Sequence, residues 1–348
     1  MKPKVTKNIL IVRLSAIGDV VMASPLPAAI KRVNSDTKIT WLCQAECKDL
    51  LKDQPNVDQV IVWPRREWQK LWDGRKYLQL GKQIRQFRNL LRNEKFDLAL
   101  DLQGLLKSGY LTWLSGATKR IGLGSSEGSQ LFMHQVITRE GGNQDLIGSE
   151  YRYLAAEMEF DTHSFDLQLG ISKQSKESSM ALLGEISDGP YLVVCPFTTR
   201  AQKHWFDDYW RSTAVQLQAR FELPVVLLGG PGDVDSAQRL CQDTNIINLA
   251  GKTNLQEAAV IIGHSTGLIG VDTGLTHMGH AMKVPTLGLF GSTRPYLETG
   301  LSTSKVIYLD LHCAPCRRNP TCDGRFDCLR EITPDMVLQE FSQLRAKP

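Results

Sequence analysis

The sequence predicts an α/β protein made of two Rossmann-like, doubly wound domains. Three observations carry this reading. Short apolar runs alternate with segments of helical period. The alternation breaks between about Asp166 and Gly189, at "SKQSKESS" and "SDGP", and then restarts. A length of 348 residues also leaves room for two domains that each bury a core. The expected division is 1–170, 171–330, and a tail over 331–348.

In the first half, strands are expected at Ile9–Leu14, Lys38–Leu42, Gln59–Val62, Leu98–Asp101 and around Lys119–Ile121. Pro25 to Val33 has helical spacing. Leu80, Ile84, Phe87 and Leu91 recur as one amphipathic face, so parallel βαβ units follow. In the second half, Tyr191–Cys195, Pro224–Leu228, Gly267–Val271 and Thr286–Phe290 read as buried strands. The turn Gly229-Gly230-Pro231-Gly232 leads to a helix from about Asp233, and a further helix runs from Thr276 to Met282. The last helix, Pro334 to Leu344, is expected to cross back to the first domain. Two Rossmann-like domains facing across a cleft is the GT-B architecture of glycosyltransferases, which some epimerases and binding proteins share.

Composition narrows the partners. With 42% hydrophobic and 22% charged residues and no apolar run long enough for a bilayer, a globular protein is expected. Met1-Lys2-Pro3-Lys4 lacks a signal-peptide pattern, which predicts a cytoplasmic location and reduced cysteines. A net charge of +4 does not call for nucleic acid. From Trp63 to Lys95, however, ten Lys/Arg stand against three Asp/Glu, with Trp63, Trp68 and Trp72 among them. That suits an anionic, phosphate-bearing partner or a membrane surface, with a solvated helix face as the alternative.

Three turns carry candidate chemistry. In "ILIVRLSAIGDVVMASP" the first turn holds one glycine and a carboxylate, Asp19, where a nucleotide phosphate would sit. An anion there repels phosphate, so Asp19 is either a helix N-cap or a base that takes a proton from an attacking hydroxyl. In "CPFTTRAQKHW", Thr198, Thr199 and Lys203 follow a strand and form a metal-free diphosphate grip, or else a polar loop capped by Thr199. In "GVDTGLTHMGHA", the N–H groups near Thr273 and Gly274 open a helix and suit an anion. Asp272 can accept from sugar hydroxyls, and His277 is a ligand group or a packed histidine. A dinucleotide oxidoreductase would want Gly-x-Gly-x-x-Gly in the first turn, which is absent.

The motifs "RLSAIGDVVMASP", "DLQGLLKSG", "TTRAQKHW" and "GVDTGLTHMGHAMKVPTLGLFGST" together resemble the lipopolysaccharide heptosyltransferases of glycosyltransferase family nine, nearest the heptosyltransferase I branch. The resemblance implies an ADP-L-glycero-β-D-manno-heptose donor, inversion, and no cofactor for catalysis. It implies a Kdo-lipid A acceptor at the inner face of the cytoplasmic membrane, and it places the catalytic aspartate at Asp19. Donor contacts carry over to Thr198, Thr199, Lys203, Asp272, Thr273, Gly274 and His277, with Asp233 the candidate ribose acid. Arg65, Arg66 and Lys107 are the acceptor candidates. A heptosyltransferase II-type acceptor and a non-catalytic sugar-nucleotide binder stay open. "GLGSSEGSQ" departs from the heptosyltransferase I pattern, which has a basic residue near Glu127. Finally, Cys313, Cys316, Cys322 and Cys328 fall within sixteen residues and are candidate ligands of a structural zinc, with loosely paired thiols the alternative.

Overall fold

Continuous apolar runs become central strands of two parallel sheets, because helices cover both faces of such a sheet. The computed structural model describes residues 7–346, so the Met1–Lys4 reading lies outside the described residues. The chain divides at Gly170/Ile171 into two units, with Asp145–Ile147 belonging to the second.

The first sheet comprises β1 (Asn8–Val12), β2 (Lys38–Cys43), β3 (Gln59–Val62), β4 (Leu98–Asp101), β5 (Lys119–Leu123) and β6 (Gln135–Ile137). Their order is β3-β2-β1-β4-β5-β6, all parallel. The second comprises β7 (Leu192–Cys195), β8 (Val225–Leu227), β9 (Ile247–Asn248), β10 (Leu268–Val271), β11 (Thr286–Phe290) and β12 (Ser304–Tyr308). Its order, β12-β11-β10-β7-β8-β9, is the same winding again. Each sheet therefore reverses direction once, between β1 and β4 and between β7 and β10. Ligands of open α/β sheets bind at the carboxyl ends of such strand pairs.

β1 ends two residues before the expected Leu14. Beyond Val12 the chain leaves the ladder, and the Leu14 N–H donates to Gln103 Oε1 at 2.9 Å instead. On the helix Tyr77–Asn93 the predicted apolar face packs against Leu10, Val12 and Trp68. The segment read as a break holds a helix, Lys173–Leu183. Of its three buried residues two are serines, Ser175 and Ser179, and only Leu183 is apolar, which is why it shows no apolar period. Ser172 caps it by accepting from the Ser175 N–H at 3.1 Å. Ser175 Oγ donates to Gln256 Oε1 at 2.9 Å and Ser178 Oγ to Glu257 Oε1 at 2.6 Å, on the helix Leu255–His264.

The last helix, Pro334–Arg345, corrects an expectation. Instead of crossing back, it buries Val337, Leu338, Phe341 and Leu344 in the core of the second unit. Phe341 meets Phe221 edge to face, with centroids 6.1 Å apart. A Cβ at Gly267, just before β10, would lie 2.6 Å from the Phe341 ring, so the helix packs directly on the strand entry. Among the described residues no helix is long and apolar enough to cross a membrane. Phe341→Ala should cost about 3–5 kcal/mol by lost burial and cavity formation. Urea unfolding followed by tryptophan fluorescence checks it, and a loss below 1 kcal/mol would show that the helix is not part of this core.

Candidate active site

The first unit gathers its candidate chemistry where β1 and β4 diverge. Val12 lies opposite Asp101 in the parallel register, so the turns after both strands are neighbours. Asp19 is the third residue of the helix Ile17–Ala23, and Ala16 is the N-cap, so Asp19 is not itself the cap. Its Oδ2 accepts from the Ala16 N–H at 3.0 Å and pairs with Arg13 Nη2 at 2.5 Å. The Arg13 side chain is buried, and its Nη1 donates to the Leu102 carbonyl at 2.9 Å. Arg139 donates to the carbonyls of Leu102 and Gln103 at 2.7 and 3.0 Å and pairs with Glu150 at 2.6 Å. Two guanidinium groups thus brace the loop after β4 beside Asp19. Arg13, Gln103 and Arg139 were not singled out from the sequence. The available signal was an arginine directly following the apolar run Ile9–Val12.

Asp101 closes the same loop. It accepts from the N–H groups of Gln103 and Gly104 at 3.0 and 3.1 Å and from Ser108 Oγ at 3.0 Å. Burial pushes its carboxyl up, against those hydrogen bonds and the Arg13 charge. Gly104 has φ +68°, and a Cβ there would lie 2.6 Å from the Leu123 carbonyl oxygen, so only glycine fits this turn.

In the second unit, the loops after β7 and β10 meet at the equivalent divergence. Asp272 is buried. Its Oδ2 pairs with Lys203 Nζ at 2.6 Å and accepts from Thr293 Oγ1, and its Oδ1 faces His277 Nε2 at 3.4 Å. Burial would raise the Asp272 carboxyl, but His277 and Lys203 outweigh it and hold the group well below the usual carboxylate range. Thr198 Oγ1 donates to the Asp272 carbonyl at 3.2 Å. Tyr296 OH meets His277 Nδ1 at 2.6 Å. A Cβ on Gly270 would lie 2.2 Å from Thr276 Oγ1, so glycine admits the hydroxyl that donates to the Val271 carbonyl.

Thr198, Lys203, Asp272 and His277 therefore form one polar cluster, joined by Thr293 and Tyr296. Thr293 lies inside a motif already quoted, whereas Tyr296 carries no sequence signal. Thr273 caps the helix Gly274–Ala281 through its backbone, leaving first-turn N–H groups without helical acceptors. Thr199 is exposed and caps nothing, because Arg200 precedes the short helical turn Ala201–Lys203. Asp233 stands apart from the cluster. It follows β8 and accepts from the Gly230 N–H at 2.8 Å, closing the glycine turn.

Arg65 and Arg66 open the helix Arg65–Asp73 and line a cleft of 490 Å³ with Gln44, Glu46 and Trp63, at the carboxyl ends of β2 and β3. Arg66 pairs with Glu46 at 2.6 Å. Lys107 lies half-buried on the helix Leu106–Leu114.

The four cysteines, the candidate zinc ligands, lie in the segment after β12 and in the helix Asp327–Arg330. Among the described residues, no three His, Cys, Asp or Glu side chains converge to hold a metal, and all four thiols are free. Cys322 and Cys328 are buried, and Cys328 is part of the core. Burial, followed by the three neighbouring cysteines, pushes the Cys328 thiol up to about 11.

Two predictions follow from the second-unit cluster. Lys203→Met leaves the buried Asp272 without its ammonium partner and should cost about 3 kcal/mol, recovered in part by Lys203→Met with Asp272→Asn. A double-mutant cycle in urea reads the coupling, and a coupling near zero would mean that the ion pair is not formed in solution. His280 is buried and held down to about 3, first by burial and then by His277. The unfolded chain takes up that proton below about pH 6.5, while the folded site refuses it until about pH 3. Stability should therefore fall as pH drops through this window, by about 2 kcal/mol from pH 7 to pH 5 relative to His280→Gln. Parallel slopes for the two proteins would overturn the assignment.

Comparison with known proteins bears on the family and the fold. The profile of Glycosyltransferase family 9 (heptosyltransferase) matches residues 84–325. Lipopolysaccharide heptosyltransferase 1 of Pseudomonas aeruginosa is 28% identical, over 98% of this chain and 99% of that protein. The structure of E. coli ADP-heptose lps heptosyltransferase II superposes with a TM-score of 0.75 at 23% identity, covering 97% of this chain and 98% of that one. E. coli heptosyltransferase WaaC with ADP-2-deoxy-2-fluoro heptose gives 0.72 at 23% identity, covering 97% and 99%. Those two likenesses establish the shared fold. With the profile spanning more than half its length, the chain belongs to glycosyltransferase family 9, the heptosyltransferases.

Proposed function

We propose that this enzyme transfers L-glycero-D-manno-heptose from ADP-heptose to a Kdo residue of the lipopolysaccharide inner core, with inversion and without a metal. The observation that carries the reading is Asp19. One carboxylate oxygen is anchored by Ala16 and Arg13, while Oδ1 takes no hydrogen bond among the described residues. An acceptor hydroxyl bound there would give its proton to Oδ1 as its oxygen attacks the anomeric carbon. The bond to the ADP phosphate oxygen breaks with its electron pair, and attack opposite that bond inverts the centre.

The donor diphosphate suits the second unit. Lys203 supplies a cation, Thr198 and Thr199 supply hydroxyls, and the helix start at Thr273–Gly274 supplies N–H groups. Lys203 has three donors, so it can meet a phosphate oxygen while still touching Asp272. These groups neutralise the leaving ADP as a divalent cation would. Asp233 remains the candidate for the ribose. Arg65, Arg66 and Lys107 suit the carboxylates and phosphates of a Kdo-lipid A acceptor, which would bring the enzyme to the inner face of the cytoplasmic membrane.

Asp19→Asn keeps the oxygen that accepts from Ala16 and loses the base. It should lose some stability, because the buried Arg13 loses its counter-charge, while binding ADP-heptose nearly as well and losing about 10²–10⁴-fold in kcat. The assay uses ADP-heptose with lipid A precursors bearing one Kdo, one phosphorylated Kdo or two Kdo, with and without EDTA. Activity within threefold of wild type in the variant would place the base elsewhere. Loss of wild-type activity in EDTA would remove the metal-free grip. Turnover confined to an already heptosylated core would replace the Kdo acceptor by that of a heptosyltransferase 2.

A further inference from the structure

The basic, tryptophan-containing stretch folds into two helices, Arg65–Asp73 and Tyr77–Asn93, joined by an exposed tip. Its tryptophans part company. Trp68 is buried, edge to face with Trp63 and Phe87. Trp72 is 59% exposed, Tyr77 55% and Leu78 93%, within a run in which every residue from Trp72 to Gln79 is exposed. Trp72 and Tyr77 stack edge to face with centroids 5.4 Å apart, so the two rings form one apolar projection beside Leu78.

The second helix carries two stripes. Leu80, Ile84, Phe87 and Leu91 face the core, while Leu78, Lys82, Arg85 and Asn89 follow the same spacing on the outer face. Glu67 and Asp73 are the only acids between Arg65 and Asn93, against nine Lys or Arg. Asp73 accepts from Gln69 Nε2 at 2.8 Å. A leucine that is almost wholly exposed, next to an exposed indole and phenol and ringed by Arg75, Lys76, Lys82 and Arg85, is costly to present to water alone. Aromatic and aliphatic side chains with flanking cations are what an anionic lipid bilayer receives at its interface.

We propose that the Trp72–Leu78 tip inserts into the interface of an anionic membrane, with the flanking cations on its headgroups. The proposal deepens the functional reading above, in which the acceptor is a lipid, and it concerns a surface on which no catalytic residue lies. The helix Arg65–Asp73 joins the two, since its first turn lines the 490 Å³ cleft and its last turn carries Trp72. A cleft held at the interface by its neighbouring tip could take a lipid-linked sugar without extracting the lipid.

The test uses the full chain and vesicles free of donor and acceptor. Vesicles of phosphatidylethanolamine with phosphatidylglycerol should float the protein, and phosphatidylcholine vesicles should not. Leu78→Ser should lower the partition coefficient about tenfold, as loss of one buried leucine implies. Lys82→Gln with Arg85→Gln should flatten its salt dependence. Brominated lipid should quench fluorescence in wild type and less in Trp72→Phe. Equal binding to neutral and anionic vesicles, an unchanged Leu78→Ser, or equal quenching in Trp72→Phe would each overturn the proposal. Leu78 is exposed, so its variant should keep wild-type Tm and transfer to a soluble acceptor. Vesicle binding without any transfer would sink the functional reading alone, and transfer without vesicle binding would sink this one.

Discussion

Everything chemical in this protein depends on one constraint of parallel sheets. All strands end at the same edge, and only where the winding reverses do adjacent loops part and leave a crevice. The chain meets that condition twice, at β1/β4 and at β7/β10. Each time it fills the crevice with a carboxylate and a cation. In the first unit both lie after β1, as Asp19 and Arg13, and the loop after β4 is the brace. In the second the cation follows β7 and the acid follows β10, so the Lys203–Asp272 pair ties two loops together. Arg13 and Asp272 are buried, and buried charges are tolerable only when paired and hydrogen-bonded, which is why each arrives with its partner.

That constraint also explains what was legible in the sequence. Central strands such as β1 and β7 are covered on both faces, so they read as unbroken apolar runs. The candidate residues Asp19, Thr198 and Asp272 lie in the segments after β1, β7 and β10, the edge at which open α/β sheets bind ligands. Short or half-buried strands such as β6 and β12 gave no such run. The helix Lys173–Leu183 was invisible because serine hydroxyls supply most of its buried face, with Leu183 its one buried apolar residue. The last helix showed an apolar face, but a face does not say which core receives it. Tyr296 was out of reach for another reason. Tyr296 lies in the loop after β11 as an uncharged aromatic residue, and it joins the site only through its hydrogen bond to His277 in the folded chain.

The stretch from Trp63 to Lys95 shows how composition averages over structure. As a string it is basic and aromatic throughout. In the fold, Trp68 and Phe87 close a core while Trp72, Tyr77 and Leu78 face outward, and the two stripes of one helix separate apolar from cationic. The charge count was right, yet it could not assign individual tryptophans to solvent or core, because that depends on where the first helix ends at Asp73 and the second begins at Tyr77.

Three acids stand at the switch points, and their surroundings give them different work. Asp101 is wholly buried and saturated by Gln103, Gly104 and Ser108, so it shapes a loop. Asp272 has both oxygens engaged by Lys203, Thr293 and His277, so it ties these side chains into one cluster. Asp19 alone holds one oxygen fixed and leaves the other open, on a side chain that is 35% exposed. A proton acceptor needs both properties, since a free carboxylate rotates and a saturated one has no lone pair to offer. The absence of further glycines from its turn fits the same account. A loop that cradles phosphate must present bare backbone, whereas a loop that presents a side chain needs that side chain braced, and Gln103 and Arg13 do the bracing here.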